Sequence, residues 1–269
     1  MASTDATRTG GRGSPLEHAT AAEPVRPAPR VPAFQRNSSS QPNSSSQRSS
    51  SSQGSSSSQR SSSTQRSPST QRGQAKENRR QALLSAAASL FAVNGFNRVS
   101  LEDLGAAAGV SGPAVYRHFP GKQAVLADLL VTVSQELLDG GREVVARNPD
   151  PASALRCLVE FQVDFALGKP DVIRVQDRDF SNLSDEDQAA VRTRQLSYVE
   201  AWVDVLAKLH PDTEITELRM RAHATFGLIN STPHSVRSHG RKMAAQSARP
   251  LLESMALAAL LVDAPEASP

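Results

Sequence analysis

Apolar side chains recur at helical spacing through most of this chain, and from residue 123 onward no stretch alternates as a strand would. A first helix is expected from Lys76 or Glu77, with Leu83, Leu84, Ala87, Leu90 and Phe91 on one face and Asn94-Gly95 as a left-handed cap. Phe96 and Val99 follow as core positions. Ser100 with Asp103 reads as a capping-box start of a short helix whose Leu101 and Leu104 share a face. Gly109 can turn the chain at positive φ, Val110 points back as a plug, and Ser111 is expected to cap a further helix with Pro113 in its first turn. Val125, Leu126, Leu129, Leu130, Val133 and Leu137 then predict a long helix from Gly121 to about Arg147, which Gly140-Gly141 would bend. Further helices are expected over about 151–167, over a short stretch of 170–183, from Ser184 to about Leu209, over 213–230, and from about Ala248 to Val262, entered through Pro250. The fold class that follows is all-α.

Two short helices joined by a Gly-containing turn form the motif that lays its second helix in a DNA major groove. Here the stretch reads SLEDLGAAAGVSGPAVYRHFPGK from Ser100 to Lys122, preceded by Gly95-Phe96 and the first helix. This dense pattern of about 50 residues resembles the DNA-binding domain of TetR-family transcriptional regulators. The resemblance implies a helix-turn-helix three-helix domain followed by a C-terminal helical ligand-binding and dimerisation domain. It also implies DNA contacts from Ser100, Ser111, Gly112, Pro113, Ala114, Tyr116, His118 and Lys122. Arg117 stays open between base, phosphate and solvent. At the helix start none of Ser111, Gly112, Pro113 and Ala114 offers a long bidentate donor for guanine, whereas Ala114 can meet a thymine methyl. Tyr116 and His118 can donate to phosphates, as can Lys122.

Charge is segregated. Residues 1–76 carry ten Lys/Arg against three Asp/Glu, residues 77–122 five against three, and the rest 15 against 21. The formal +3 is thus a basic tail and mildly basic head joined to an acidic body, with positive charge where phosphate would lie. Residues 1–75 form a low-complexity tail in which Gln recurs every six residues from Gln35 to Gln71, among serine runs and arginines. From Arg36 to Gln74 no side chain is aromatic or a large aliphatic, so nothing offsets the entropy of ordering, and disorder is expected. The tail reads either as a nonspecific phosphate-binding arm or, preferentially, as an inert solvated segment. The expected division is therefore 1–75 tail, 76–122 DNA-binding domain and 123–269 helical ligand-binding and dimerisation domain.

In that body, Phe161, Phe165, Trp202, Phe226 and Met255 can line an apolar cavity with His223 and Asn230 as polar anchors, although each alone is more ordinarily core. Arg174 and Arg178 are candidates for an anionic group. By resemblance this would be the phosphates of an acyl-thioester of coenzyme A, while Asp177 and Asp179 beside them make surface ion pairs the plainer reading. Ala222, Ala224, Gly227, Ala256, Ala258 and Ala259 permit close helix approach and suit a helical-bundle homodimer.

Enzyme chemistry finds no constellation. Cys157 lies in an apolar helical stretch that suits an inert thiol, and one cysteine excludes an internal disulfide. No His-x-x-x-His pair, G-x-S-x-G or phosphate-binding glycine loop occurs, so neither a catalytic residue nor a cofactor is expected. His234 and His239 sit in a loop that can bind metal, although exposed histidines are the commoner case, and no metal site is assigned. With no signal-peptide core and no membrane-length apolar run, a cytoplasmic location is expected. The reading is a homodimeric transcriptional regulator of double-stranded DNA, a repressor released from a palindromic operator by a small apolar effector. The alternative is a nonspecific nucleic-acid-binding protein acting through its basic tail.

Overall fold

In the computed structural model of the chain, residues 68–232 and 244–262 are described, and the statements below concern them. Nine α-helices are described: α1 Pro68–Asn94, α2 Leu101–Ala108, α3 Gly112–Val115, α4 Lys122–Arg147, α5 Pro151–Gly168, α6 Pro170–Asp179, α7 Asp185–Leu209, α8 Ile215–Asn230 and α9 Ala245–Leu260. Among the described residues there is no strand. Residues 1–67, which hold most of the expected tail, and the loop with His234 and His239 lie outside this set.

The helices start where the polar residues dictate. Ser100 accepts from the Asp103 N–H while Asp103 accepts from the Ser100 N–H, a closed capping box. Asp150 caps α5 and Ser184 caps α7 in the same manner, each through an N–H three residues on. Three boundaries differ from expectation. α1 begins at Pro68, eight residues before Lys76, because an N-terminal extension of a formed helix needs no apolar partner once packing has nucleated it. α3 is a single turn, Gly112–Val115, with Tyr116 to Phe119 continuing as hydrogen-bonded turns. α9 begins at Ala245, so Pro250 lies inside it and removes the N–H that would have reached the Gln246 carbonyl. Gln246 is exposed, and water can take that partner's place.

At Gly140-Gly141, where a bend was expected, the helix continues through both glycines. α4 runs without interruption, and the two glycines instead admit rings from its neighbours. A Cβ on Gly140 would collide with the Phe161 ring of α5, and one on Gly141 with the Tyr198 ring of α7. Close helix approach explains this pair.

α2 and α3 pack against each other, and α2 packs on α1. α4 extends from this head into a body where it packs on α5 and α7, while α8 and α9 pack together, with α7 beside α8 and α5 beside α9. One contiguous apolar cluster joins head to body, from Leu83 and Phe91 through Leu130 and Leu158 to Leu206 and Leu260. Polar ties reinforce that junction. Arg80 of α1 pairs with Asp128 of α4, and Gln123 of α4 donates to the Asn182 carbonyl after α6 at 2.9 Å.

Candidate nucleic-acid interface and interior site

Gly109 takes φ 65° and ψ 30°, the left-handed conformation that ends α2 without a Cβ clash. The chain then turns, the Val110 N–H donates to the Gly105 carbonyl at 2.8 Å, and α3 follows with Val115 fully buried against α2. This sets Ser111, Pro113, Tyr116 and Arg117 on the exposed side of the turn and leaves Gly112, Ala114 and His118 partly open. Ser111 occupies the N-cap position, yet its hydroxyl makes no capping bond, contrary to expectation. Its carbonyl takes the Ala114 and Val115 N–H groups, so the hydroxyl remains on the surface.

The remaining expected DNA residues divide by what they already hold. The Ser100 hydroxyl donates to Asp103 at 2.8 Å, and Tyr116 donates to Glu102 at 3.2 Å. Both bonds are exposed, and a phosphate can replace either acceptor. The Glu102 carboxylate pushes the Tyr116 hydroxyl's pKa up. Lys122 departs from expectation. Its ammonium donates to the carbonyls of Phe96, Asn97 and Val99 at 3.0, 3.2 and 3.2 Å and sits 4.7 Å from the Phe96 ring centroid. All three donors meet these carbonyls, so Lys122 anchors the turn before α2 to the start of α4, and a phosphate reaches it only by displacing one of them.

Two cations that sequence reasoning missed, Lys76 and Arg79 of α1, join Gly109, Val110, Ser111, Ala114, Arg117 and His118 around a depression of about 570 Å³. His118's pKa is lowered by burial first, and then by the charges of Lys76, Arg79, Arg117 and Arg80. The missing signal was tertiary, because these two residues lie more than 20 positions before the motif that begins at Ser100.

A second constellation lies inside the body. The Tyr198 hydroxyl donates to Gln162 Oε1 at 3.1 Å, and Gln162 Nε2 donates to Asn230 Oδ1 at 3.0 Å. Gln162 and Tyr198 are buried, and desolvation pushes the tyrosine pKa far up, so it stays a neutral donor. Around them Trp202 meets Phe226 edge-on at 4.9 Å between centroids, with Tyr198 at 5.5 Å from Phe226 and 6.1 Å from Trp202. The wholly buried Trp202 indole N–H completes no hydrogen bond, and the buried Thr225 hydroxyl also lacks a partner.

Of the expected ligand residues, Trp202, Phe226 and Asn230 converge here. Phe161 and Phe165 sit on the same helix as Gln162, Phe161 docked on Gly140 and Phe165 in the core. Three others stand elsewhere. His223 is exposed, because it falls on the outer face of α8 opposite Ala222 and Thr225. Met255 is 46% exposed on α9. Arg178 faces the head: it donates to the Phe91 and Ala92 carbonyls at the end of α1 and pairs with Asp179, which is only 4% exposed. This is an interhelix clip that includes the Asp179 ion pair of the plainer expectation, with the guanidinium engaged on α1. Gln162, Tyr198 and Thr225 were not singled out, although a polar residue at a core position of an amphipathic helix is the signal that finds such groups.

Cys157 is half-buried, donates weakly to Asn148 at 3.8 Å, and has its pKa raised by desolvation, the opposite of an activated nucleophile. Among the described residues no group of three or more His, Cys, Asp or Glu is placed to hold a metal, and no helix is long and apolar enough to cross a membrane.

A short helix-turn-helix with a cationic face, carried on a helical body, defines a DNA-binding regulator rather than an enzyme. Residues 83–129 match the bacterial regulatory proteins of the tetR family, and residues 148–259 match the tetracyclin repressor-like C-terminal domain. The chain belongs to the TetR family of transcriptional regulators. It is 26% identical over 132 residues to the HTH-type transcriptional repressor KstR2 of Rhodococcus jostii, covering 49% of this chain and 65% of that one. Across the curated relatives compared, the chain spans about half to two thirds of their length. The fold is shared with a TetR-family regulator from Bordetella parapertussis at 23% identity, TM-score 0.58, covering 66% of this chain and 93% of that one. It is also shared with FadR of Bacillus subtilis in complex with stearoyl-CoA, at 12% identity, TM-score 0.53, covering 66% and 98%.

Proposed function

We propose that the protein is a homodimeric repressor that holds a palindromic operator and is released by a small apolar effector of the acyl-CoA thioester class. The observation that carries this reading is the Tyr198–Gln162–Asn230 chain with the Trp202–Phe226 wall, set in the body with the unpartnered Trp202 indole N–H beside it. Such a mixture of apolar walls and a few convergent polar groups is what a small-molecule site requires. The stearoyl-CoA bound by FadR, which shares the fold, supports the acyl class. With Arg178 engaged on α1, the thioester's phosphates need other cations. DNA contacts fall to Ser100, Ser111, Gly112, Pro113, Ala114, Tyr116, Arg117 and His118. The protein acts in the cytoplasm, where its operator is.

Dimerisation uses α8 and α9. Met220, His223, Ala224 and Gly227 are exposed on one, and Leu251, Met255, Ala258 and Leu261 at or beyond the other. Ala222 and Ala256, by contrast, are buried in the body. Two heads about 34 to 36 Å apart, or a multiple, then meet successive major-groove faces. An effector entering between α5, α7 and α8 pushes on α4, which Phe161 and Tyr198 touch directly, and alters that separation. It shifts operator occupancy only by binding the two arrangements with different affinity.

The test is selection of random duplexes by the full chain and by a chain starting at Pro68, followed by challenge with stearoyl-CoA. An inverted repeat recovered by both, released by the thioester with a change in the fluorescence of Trp202, the only tryptophan, is expected. Featureless enrichment, or binding that disappears with residues 1–67, would instead establish nonspecific binding through the tail.

A further inference from the structure

Lys76 and Arg79 lie one helical turn apart on α1 and line the same depression as Ser111, Ala114, Arg117 and His118. Both are exposed, and among the described residues neither is paired with a carboxylate. Their neighbour Arg80 behaves differently, held by Glu77 and by Asp128. The paired cation of α1 thus faces the protein, and the two unpaired ones face the hollow.

That hollow gathers Lys76, Arg79 and Arg117 around one imidazole, with Glu77 near its edge. Like charges brought together raise the free energy of the unliganded surface, and an anion entering among them relieves it. Burial first, and then the charges of Lys76, Arg79 and Arg117, lower the pKa of His118, in keeping with this placement. The rim includes Ser111 and Ala114 of α3, so an anion seated here lies beside the groove that α3 enters. A helix of 27 residues spans roughly 40 Å, at about 1.5 Å per residue, so α1 is long enough to extend beyond the motif.

This inference rests on the operator-binding reading and extends it: we propose that α1 itself contacts DNA, with Lys76 and Arg79 gripping backbone phosphates beside the bases that α3 meets. The contact supplies affinity and register but no sequence preference.

The experiment measures the affinity of the full-length chain for its selected operator duplex and for a scrambled duplex of equal length, over a series of salt concentrations. Lys76→Gln and Arg79→Gln are each expected to weaken both duplexes by the same factor, roughly three- to tenfold near physiological salt. Each should also flatten the log–log salt slope by about 0.9. Lys76→Arg and Arg79→Lys, which keep the charge, restore the slope. An unchanged slope, a loss confined to the operator, or failure of the charge-keeping variants to restore it would overturn the proposal. If the unmodified chain does not prefer its operator, the operator reading fails by itself, and the slope change on the scrambled duplex still decides this one.

Discussion

The Lys122 ammonium has three N–H donors, and all three meet carbonyls of the turn before α2. Lys122→Ala is therefore expected to cost about 1 kcal/mol of stability in urea denaturation, through the loss of these part-buried and exposed bonds. It should weaken operator binding with no change in salt slope, whereas a phosphate contact would lower the slope by about 0.9. His118 follows a different logic. Its folded pKa lies below the ordinary imidazole value near 6.5, so the fold favours the neutral ring. That contribution to stability is present above about pH 6.5 and is lost as pH falls through the depressed folded pKa. A DNA phosphate beside the ring acts in the opposite direction and raises its pKa. Operator affinity should therefore rise as pH falls from about 8 to 6 in fluorescence-anisotropy titrations, and His118→Gln should abolish that dependence. An affinity independent of pH in the unmodified chain would place the ring away from phosphate.

Among the elements, α4 is held by contacts that leave little room. Gly141→Ala drives a methyl group into the Tyr198 ring, and an overpacking cost of about 1 to 3 kcal/mol is expected in the melting temperature. The same change should disturb the Tyr198 to Gln162 bond and with it the Trp202 emission. α6 and α1 are joined by Arg178, whose guanidinium lies at the carbonyl end of α1 where positive charge is favoured. Arg178→Ala leaves the buried Asp179 carboxylate without its partner and should cost about 2 to 4 kcal/mol in equilibrium unfolding. If effector signals pass through this clip, a surviving Arg178→Ala protein should bind stearoyl-CoA yet release DNA less completely. Helix-level reading of the sequence located the caps at Ser100 and Ser184, because a cap is a local pattern. It placed the start of α1 too late, because that start depends on helix propagation through residues with no apolar marker.

At the level of the whole molecule, Ala224, Gly227, Leu251 and Met255 form an exposed small and apolar surface on α8 and α9. Arg221, buried beneath it, donates to the Leu260 carbonyl and pairs with Glu217, tying α8 to the end of α9. Gly227→Arg should convert a dimer to monomers in analytical ultracentrifugation and remove palindromic binding while leaving the monomer folded. A variant that stays dimeric would place the interface elsewhere. The all-helical class, the helix-turn-helix and the family resemblance were legible in the sequence, because 3.6-residue periodicity, capping residues and turn glycines act over a few positions. So was the buried position of Trp202, which follows from the apolar face of its helix. Tertiary structure alone decided which polar groups meet. It turned Lys122 and Arg178 toward backbone carbonyls, brought Lys76 and Arg79 to His118, linked Tyr198 to Gln162 and Asn230, and set His223 outside. Periodicity assigns a side chain to a face, but the hydrogen-bond partner waiting across that face belongs to another helix, and only packing brings the two together.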